Sequence, residues 1–247
     1  MIEHFGIKVR ENSFLNRENY AEINRKSSFK IIMSNVEYEN IESRIYTEHW
    51  CKEYQQKCLL NFDINMERYN KLDLKEFQNE ISSFLLKYKN FEEITNINEL
   101  NDVSGYYIMI LDKYKQLYIG TTENIGKRIK QHWSKKKQFD RLLFPMNNVE
   151  NSKLSIDSFR ALDTTRIFVA KSKELYNLEN EYIRNFSEKF VINRVPGGKI
   201  LPIEGLISNK PKESDSNVDI FTTITIGTII IIFLWLFILI SNLISTS

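Results

Sequence analysis

The chain has 247 residues, 27% of them charged and 42% hydrophobic, with a net charge of only +2. Those proportions exclude wholesale disorder and a globally basic field, so any nucleic-acid surface has to be a local patch. Two cysteines exclude a disulfide framework. Cys51 and Cys58, even with His49 close by, lack both C-x-x-C spacing and a second ligand pair, so free buried thiols are expected and not a zinc site.

Residues 1–95 read as an N-terminal region of unknown function. No basic stretch followed by an apolar run opens the chain, so no signal peptide is expected. Residues 29–33 have the composition of a strand, and residues 38–60 mix aromatic and charged side chains without clean periodicity. From Leu72 onward the pattern sharpens. Leu72, Leu74, Phe77, Ile81, Phe84 and Leu85 recur at three- and four-residue spacing behind Asp73, which predicts a capped amphipathic helix over about 73–88. Residues 90–104, rich in Asn and Asp, read as a connector.

An aromatic hairpin follows, with a strand over 106–111, a polar turn over 112–116 and a return strand over 117–119 that Gly120 ends. Thr122 and Asn124 are helix-start residues for a segment from Ile125 to about Lys135, with Ile125, Ile129 and Trp133 on one face. Residues 136–164 form a long, poorly patterned insert. A third strand over 166–170 precedes a helix over about 173–186, whose buried stripe would be Leu175, Leu178, Tyr182 and Phe186. Residues 191–193 then lead into a turn at Pro196, Gly197 and Gly198. The expected architecture is α+β: a domain over 96–205 with a three-stranded antiparallel sheet flanked by helices.

Residues 206–219 carry little apolar content and read as a polar stalk. No charged residue occurs from Ile220 to Ile240, and a helix of that length covers the roughly 30 Å hydrocarbon core of a bilayer. A transmembrane helix over 220–240, with a short tail over 241–247, is therefore expected. Lys199, Lys210 and Lys212 precede the span and no Lys or Arg follows it, so the positive-inside rule puts the N-terminal bulk in the cytoplasm. The expected localisation is a single-pass membrane protein, tail-anchored through 220–240.

Two triplets in the hairpin, Gly105-Tyr106-Tyr107 and Tyr118-Ile119-Gly120, resemble the paired motif that names the GIY-YIG nucleases. Tyr106 stands where the name has Ile, a mild change on a strand. Arg128, ten residues past Tyr118, is similar to the family's helix arginine, and His132 one turn later matches a position often filled by His. Glu179 resembles the family's metal-binding Glu, with Glu181 as a rival, and Asn193 its late Asn. The likeness spans residues 105 to about 198, somewhat more than a third of the chain.

That resemblance implies a metal-dependent endonuclease acting on DNA in preference to RNA. One Mg²⁺ or Mn²⁺ would be held by Glu179 and act as a Lewis acid at the scissile phosphate. Arg128 would donate to the phosphate as it gains charge. Tyr107 or Tyr118, with His132 nearby, would orient or deprotonate the attacking water, and sequence leaves open which tyrosine does so. Lys127, Lys130, Lys135 and Lys136 beside the helix are candidate phosphate contacts, joined by Asn193; Lys137 and Arg141 extend the basic cluster. Residues 1–95 show no DNA-reading motif and could bind a protein partner. The rival expectation is a non-catalytic, membrane-attached nucleic-acid-binding scaffold, which would have no use for a metal carboxylate opposite a phosphate-clamping arginine.

Overall fold

The computed structural model describes residues 1–194. Within it the chain runs β1 (Ile2–His4), β2 (Ile7–Val9), α1 (Arg17–Tyr20), β3 (Tyr38–Asn40), β4 (Ile45–Tyr46), α2 (Glu48–Lys71), α3 (Leu74–Lys87), β5 (Glu92–Glu93), β6 (Gly105–Leu111), β7 (Gln116–Thr122), α4 (Ile125–Ser134), β8 (Arg166–Lys171) and α5 (Glu179–Arg184). The polar stalk over 206–219, the span over 220–240, the tail over 241–247 and the turn at 196–198 lie outside the described residues. Among the described residues no helix is long and apolar enough to cross a membrane.

The central sheet has the order β5-β8-β6-β7, antiparallel throughout. It has four strands where sequence predicts three. The extra one, Glu92–Glu93, lies in the expected connector and pairs with Val169 and Phe168 of β8. Two glutamates have low strand propensity and leave no hydrophobic signal; tertiary pairing alone makes them a strand.

β6 is buried along its whole length and alternates between two cores. Tyr106, Ile108 and Ile110 join Phe77, Ile81 and Phe84 of α3 and Tyr182 of α5. Tyr107, Met109 and Leu111 face α4 and the α2 side, in a core that includes Trp133, Tyr54 and Phe62. The sheet is thus the middle of three layers. Asp73 caps α3 as expected, its Oδ1 accepting from the Glu76 amide at 2.6 Å.

Other expectations change. Residues 29–33 form no strand; they are bends and irregular backbone, with Ile31 and Ile32 exposed. Residues 48–71, unread in sequence, are the longest helix described. Its buried stripe is Trp50, Cys51, Tyr54, Cys58, Asn61, Phe62, Asn65 and Tyr69, a helical spacing hidden by two asparagines. Both Cys51 and Cys58 are free and buried, as expected. The helix predicted over 173–186 is cut to Glu179–Arg184: Tyr176 adopts φ +71°, which breaks the helix, and Leu178 is exposed.

The 136–164 insert is largely core. Phe139, Leu142, Leu143, Leu154, Ile156 and Phe159 are buried in it. Asn61 Nδ2 donates to the Val149 and Ser152 carbonyls at 2.6 and 2.7 Å, and Asn65 Nδ2 to Ser152 at 2.9 Å. The asparagines of α2 therefore satisfy carbonyls that the docked insert would otherwise bury unpaired.

The outer edge of β7 is closed by groups that are not strands. The Ile192 amide donates to the Leu117 carbonyl at 3.0 Å, with Val191 bridging to Leu117 in parallel. Two residues on, the Asn193 side chain accepts from the Ile119 amide at 3.0 Å and donates to its carbonyl at 2.7 Å. β7 itself continues past Gly120 to Thr122.

Candidate active site

In the β6–β7 ladder Tyr107 lies directly opposite Gly120, and Tyr118 and Gly120 share its face. That pairing explains the second triplet. A Cβ at Gly120 would sit 2.5 Å from both Cζ and Oη of Tyr107, so only glycine lets the ring lie flat across the neighbouring strand. Gly105 opens β6 at φ +150°, where a Cβ would meet the Ala170 carbonyl at 2.2 Å.

The Tyr107 hydroxyl reaches Nε2 of His132 on α4 at 2.9 Å. Nδ1 of the same ring meets Oδ1 of Asp157, from the insert, at 2.6 Å. His132 is 1% exposed, and its burial holds the imidazole below its usual range against the pull of Asp157. A neutral ring between an O–H and a carboxylate has one consistent tautomer. Nδ1–H donates to Asp157, and Nε2 accepts from Tyr107. Burial pushes the Tyr107 hydroxyl well above the ordinary tyrosine range and the Tyr118 hydroxyl up to about 12, with Arg128 acting against the rise in both. The Tyr107 and Tyr118 rings lie 6.1 Å apart between centroids, and the Tyr118 ring packs edge-on against His132 at 5.1 Å.

These groups back onto a cleft of about 230 Å³. Tyr118, Arg128, His132, Glu179 and Asn193 line it, joined by Asp157, Lys137 and Arg194. Tyr107 stands behind that lining, 1% exposed. Glu179 is buried, and burial pushes its carboxyl up to about 7 even with Arg128 opposing. Its neighbour Glu181 is exposed and accepts from the Tyr88 hydroxyl at 2.7 Å, away from the cleft.

The structure brings together some candidates and parts others. Lys127, Lys130, Lys135 and Lys136 do not line the cleft. Lys130 donates to Asn98 at 2.9 Å, and Lys136 pairs with Glu22 at 2.6 Å. The lysine at the cleft is Lys137, whose amine burial and the adjacent Arg194 hold below the usual lysine range. Asn193 reaches the cleft, but its amide clamps the Ile119 backbone. Arg194, missed in sequence, donates to the carbonyls of Lys153, Arg141 and Leu142, and so fastens the insert to the cleft wall. Asp157 was also missed: nothing in its spacing sets it apart from Asp140, Glu150 or Asp163 of the same insert.

A metal ion is testable against this donor set. Among the described residues no three His, Cys, Asp or Glu side chains converge into a cage. A single carboxylate facing an open cleft suits Mg²⁺ or Mn²⁺, which keep several waters and borrow substrate phosphate oxygens, and does not suit structural zinc. Burial holds the carboxyl of Glu179 near 7 although Arg128 opposes the rise, and a divalent cation would add further charge favouring the anion.

Residues 103–191 match the family model of the GIY-YIG catalytic domain. A comparison with curated proteins finds no match, and a comparison with solved structures finds none. The matched segment begins two residues before the first triplet and takes in the hairpin, α4, the insert with Asp157, and Glu179. This segment is the catalytic domain of a GIY-YIG-type endonuclease.

Proposed function

We propose that the GIY-YIG endonuclease domain formed by residues 103–191 hydrolyses phosphodiester bonds in DNA, in preference to RNA, with one divalent ion held by Glu179, and that residues 220–240 attach it to a membrane. The convergence of Tyr118, Arg128, His132 and Glu179 on one cleft carries the catalytic part of this reading. A bound Mg²⁺ or Mn²⁺ would supply Lewis-acid stabilisation of the phosphate and leaving oxygen. Glu179 would hold it, and Arg128 would donate its planar N–H groups to the phosphate oxygens as charge builds.

Proton transfer falls to the buried relay. A tyrosine whose hydroxyl stands at about 12 is a poor free base, but a hydroxyl can pass a proton without ionising. Tyr118 faces the cleft and takes a proton from the attacking water while releasing its own to Tyr107. Tyr107 in turn releases its proton to Nε2 of His132. The imidazolium so formed is stabilised by Asp157, which also fixes the tautomer that leaves Nε2 free to accept. The water oxygen forms the new P–O bond, and the ester oxygen leaves. Asp157 is therefore a positioning residue, acting through His132.

The test is nicking of supercoiled plasmid by the full-length chain, with and without Mg²⁺ or Mn²⁺, beside Arg128→Ala and Asp157→Asn. Metal-dependent nicking is expected, reduced about 10²- to 10³-fold by Arg128→Ala. Asp157→Asn should cost on the order of 10²-fold through a misoriented ring, with the pH–rate profile displaced. Intact plasmid in every lane, with salt-sensitive binding retained, would favour the scaffold reading. An Asp157→Asn enzyme with an unchanged profile would remove the relay.

Membrane attachment is supported by the uncharged 21-residue run over 220–240, and the lysines before it favour a cytoplasmic N-terminal bulk by the positive-inside rule. A fluorescent fusion of the whole chain should ring the cell membrane and become diffuse without residues 220–247. A diffuse signal with the run intact would sink this part.

A further inference from the structure

A second cavity, about 390 Å³, adjoins the catalytic cleft, with Lys137 in the lining of both. Pockets that enclose small organic ligands measure roughly 300–1,000 Å³. The catalytic cleft falls below that range and the second cavity within it. A phosphate with a hydrated ion suits the first, whereas a nucleotide joined to that phosphate needs room beside it.

The second cavity has the chemistry of a base site. Leu15, Tyr20 and Ile23 of the N-terminal region and Phe139 and Leu142 of the insert contribute its apolar lining. The amides of Asn19, Asn24 and Gln138, which both donate and accept, line it as well. Ser158, 3% exposed, also lines the cavity and has no partner for its buried hydroxyl. Apolar surface with mixed donors and acceptors matches a nucleobase, which has flat π faces and a hydrogen-bonding edge. Three cations also line the cavity, but Arg160 Nη1 donates to the Asp157 and Phe159 carbonyls at 3.0 and 2.9 Å, and Lys137 is shared with the catalytic cleft. Lys136 is already paired with Glu22.

Resting on the nuclease reading above, we propose that this cavity binds one unpaired base flanking the scissile phosphate. The substrate is then single-stranded or locally opened DNA, because a base inside a duplex keeps its faces stacked and its edge paired. The N-terminal region, without any DNA-reading motif, takes part in substrate choice by supplying part of the lining.

The test measures binding apart from cleavage. The full-length chain is titrated in EDTA with labelled single-stranded DNA and with a blunt duplex of equal length, followed by fluorescence anisotropy. Asn19→Leu in the N-terminal region and Gln138→Leu in the insert, each at an exposed position, are compared with the unaltered protein. The unaltered chain should favour the single strand by about tenfold. Each variant should lose most of that preference while its affinity for the duplex stays within about twofold. Equal binding of both DNAs by the unaltered chain, or a preference untouched by both variants, would overturn the proposal. Plasmid nicking, scored separately, distinguishes that failure from failure of the nuclease reading itself.

Discussion

Glu179→Gln is expected to abolish metal-dependent cleavage while leaving the fold and DNA binding in EDTA intact. The amide is isosteric, and the β7 edge keeps its contacts to Ile192 and Asn193, so the fold should not loosen. It cannot carry the anion that a divalent ion requires. Lewis-acid stabilisation is worth several kcal/mol, so a loss beyond about 10³-fold in kcat/KM is expected. The same carboxyl predicts a pH dependence with a definite sign. Burial raises it from 4.5 to about 7 in the folded chain, so its neutral form is the favoured one. Its contribution to stability is therefore fully present below about 4.5 and lost as pH rises through about 7. Metal binding must displace that proton. Metal affinity should fall about tenfold for each pH unit below 7, and added Mg²⁺ should raise Tm at pH 8 far more than at pH 6. A Glu179→Gln chain that still cleaves with Mg²⁺, or a metal affinity flat from pH 6 to pH 8, would exclude Glu179 as the ligand.

Gly120→Ala should damage both stability and catalysis through one added methyl group. Its carbon would lie 2.5 Å from the end of the Tyr107 ring, which has backbone on one side and His132 on the other. Overpacking of this kind costs about 1–3 kcal/mol, or about 2–4 °C in Tm for each kcal/mol in a domain of this size. The hydroxyl would also leave Nε2 of His132, breaking the relay. Pairing the change with Tyr107→Leu separates the two effects: the double variant should recover Tm but not cleavage. An alanine at 120 with ordinary Tm and cleavage rate would mean that the ring relaxes freely, and that its place over the strand is not constrained.

What was legible in the sequence follows from how each element is stabilised. The hairpin, α4 and α3 were readable because local pattern and burial agree: alternating β6, the Ile125-Ile129-Trp133 stripe, Asp73 as a cap. α2 was not, because its buried stripe carries Asn61 and Asn65, whose partners lie nearly ninety residues away in the insert. β5 has no pattern of its own and exists through β8. In the candidate site, Arg128, His132 and Glu179, which the family resemblance singles out, line one cleft. Asp157 and Arg194 were not legible, since each acts through a contact set by the docking of the insert. The lysines show the limit of composition. Five lie in a short stretch, yet helix phase and pairing turn Lys127, Lys130, Lys135 and Lys136 away from the cleft lining and leave Lys137.

The closed edges of the sheet have a consequence for how copies of this chain meet one another. A free strand edge is a template on which a second molecule can add a strand, and that is a common start of aggregation. Here one outer strand is two glutamates long, too short and too charged to recruit a neighbour. The other has its outward groups at residues 117 and 119 occupied in turn by Ile192 and the Asn193 amide. Molecules crowded together on a surface would therefore find little sheet edge to pair through.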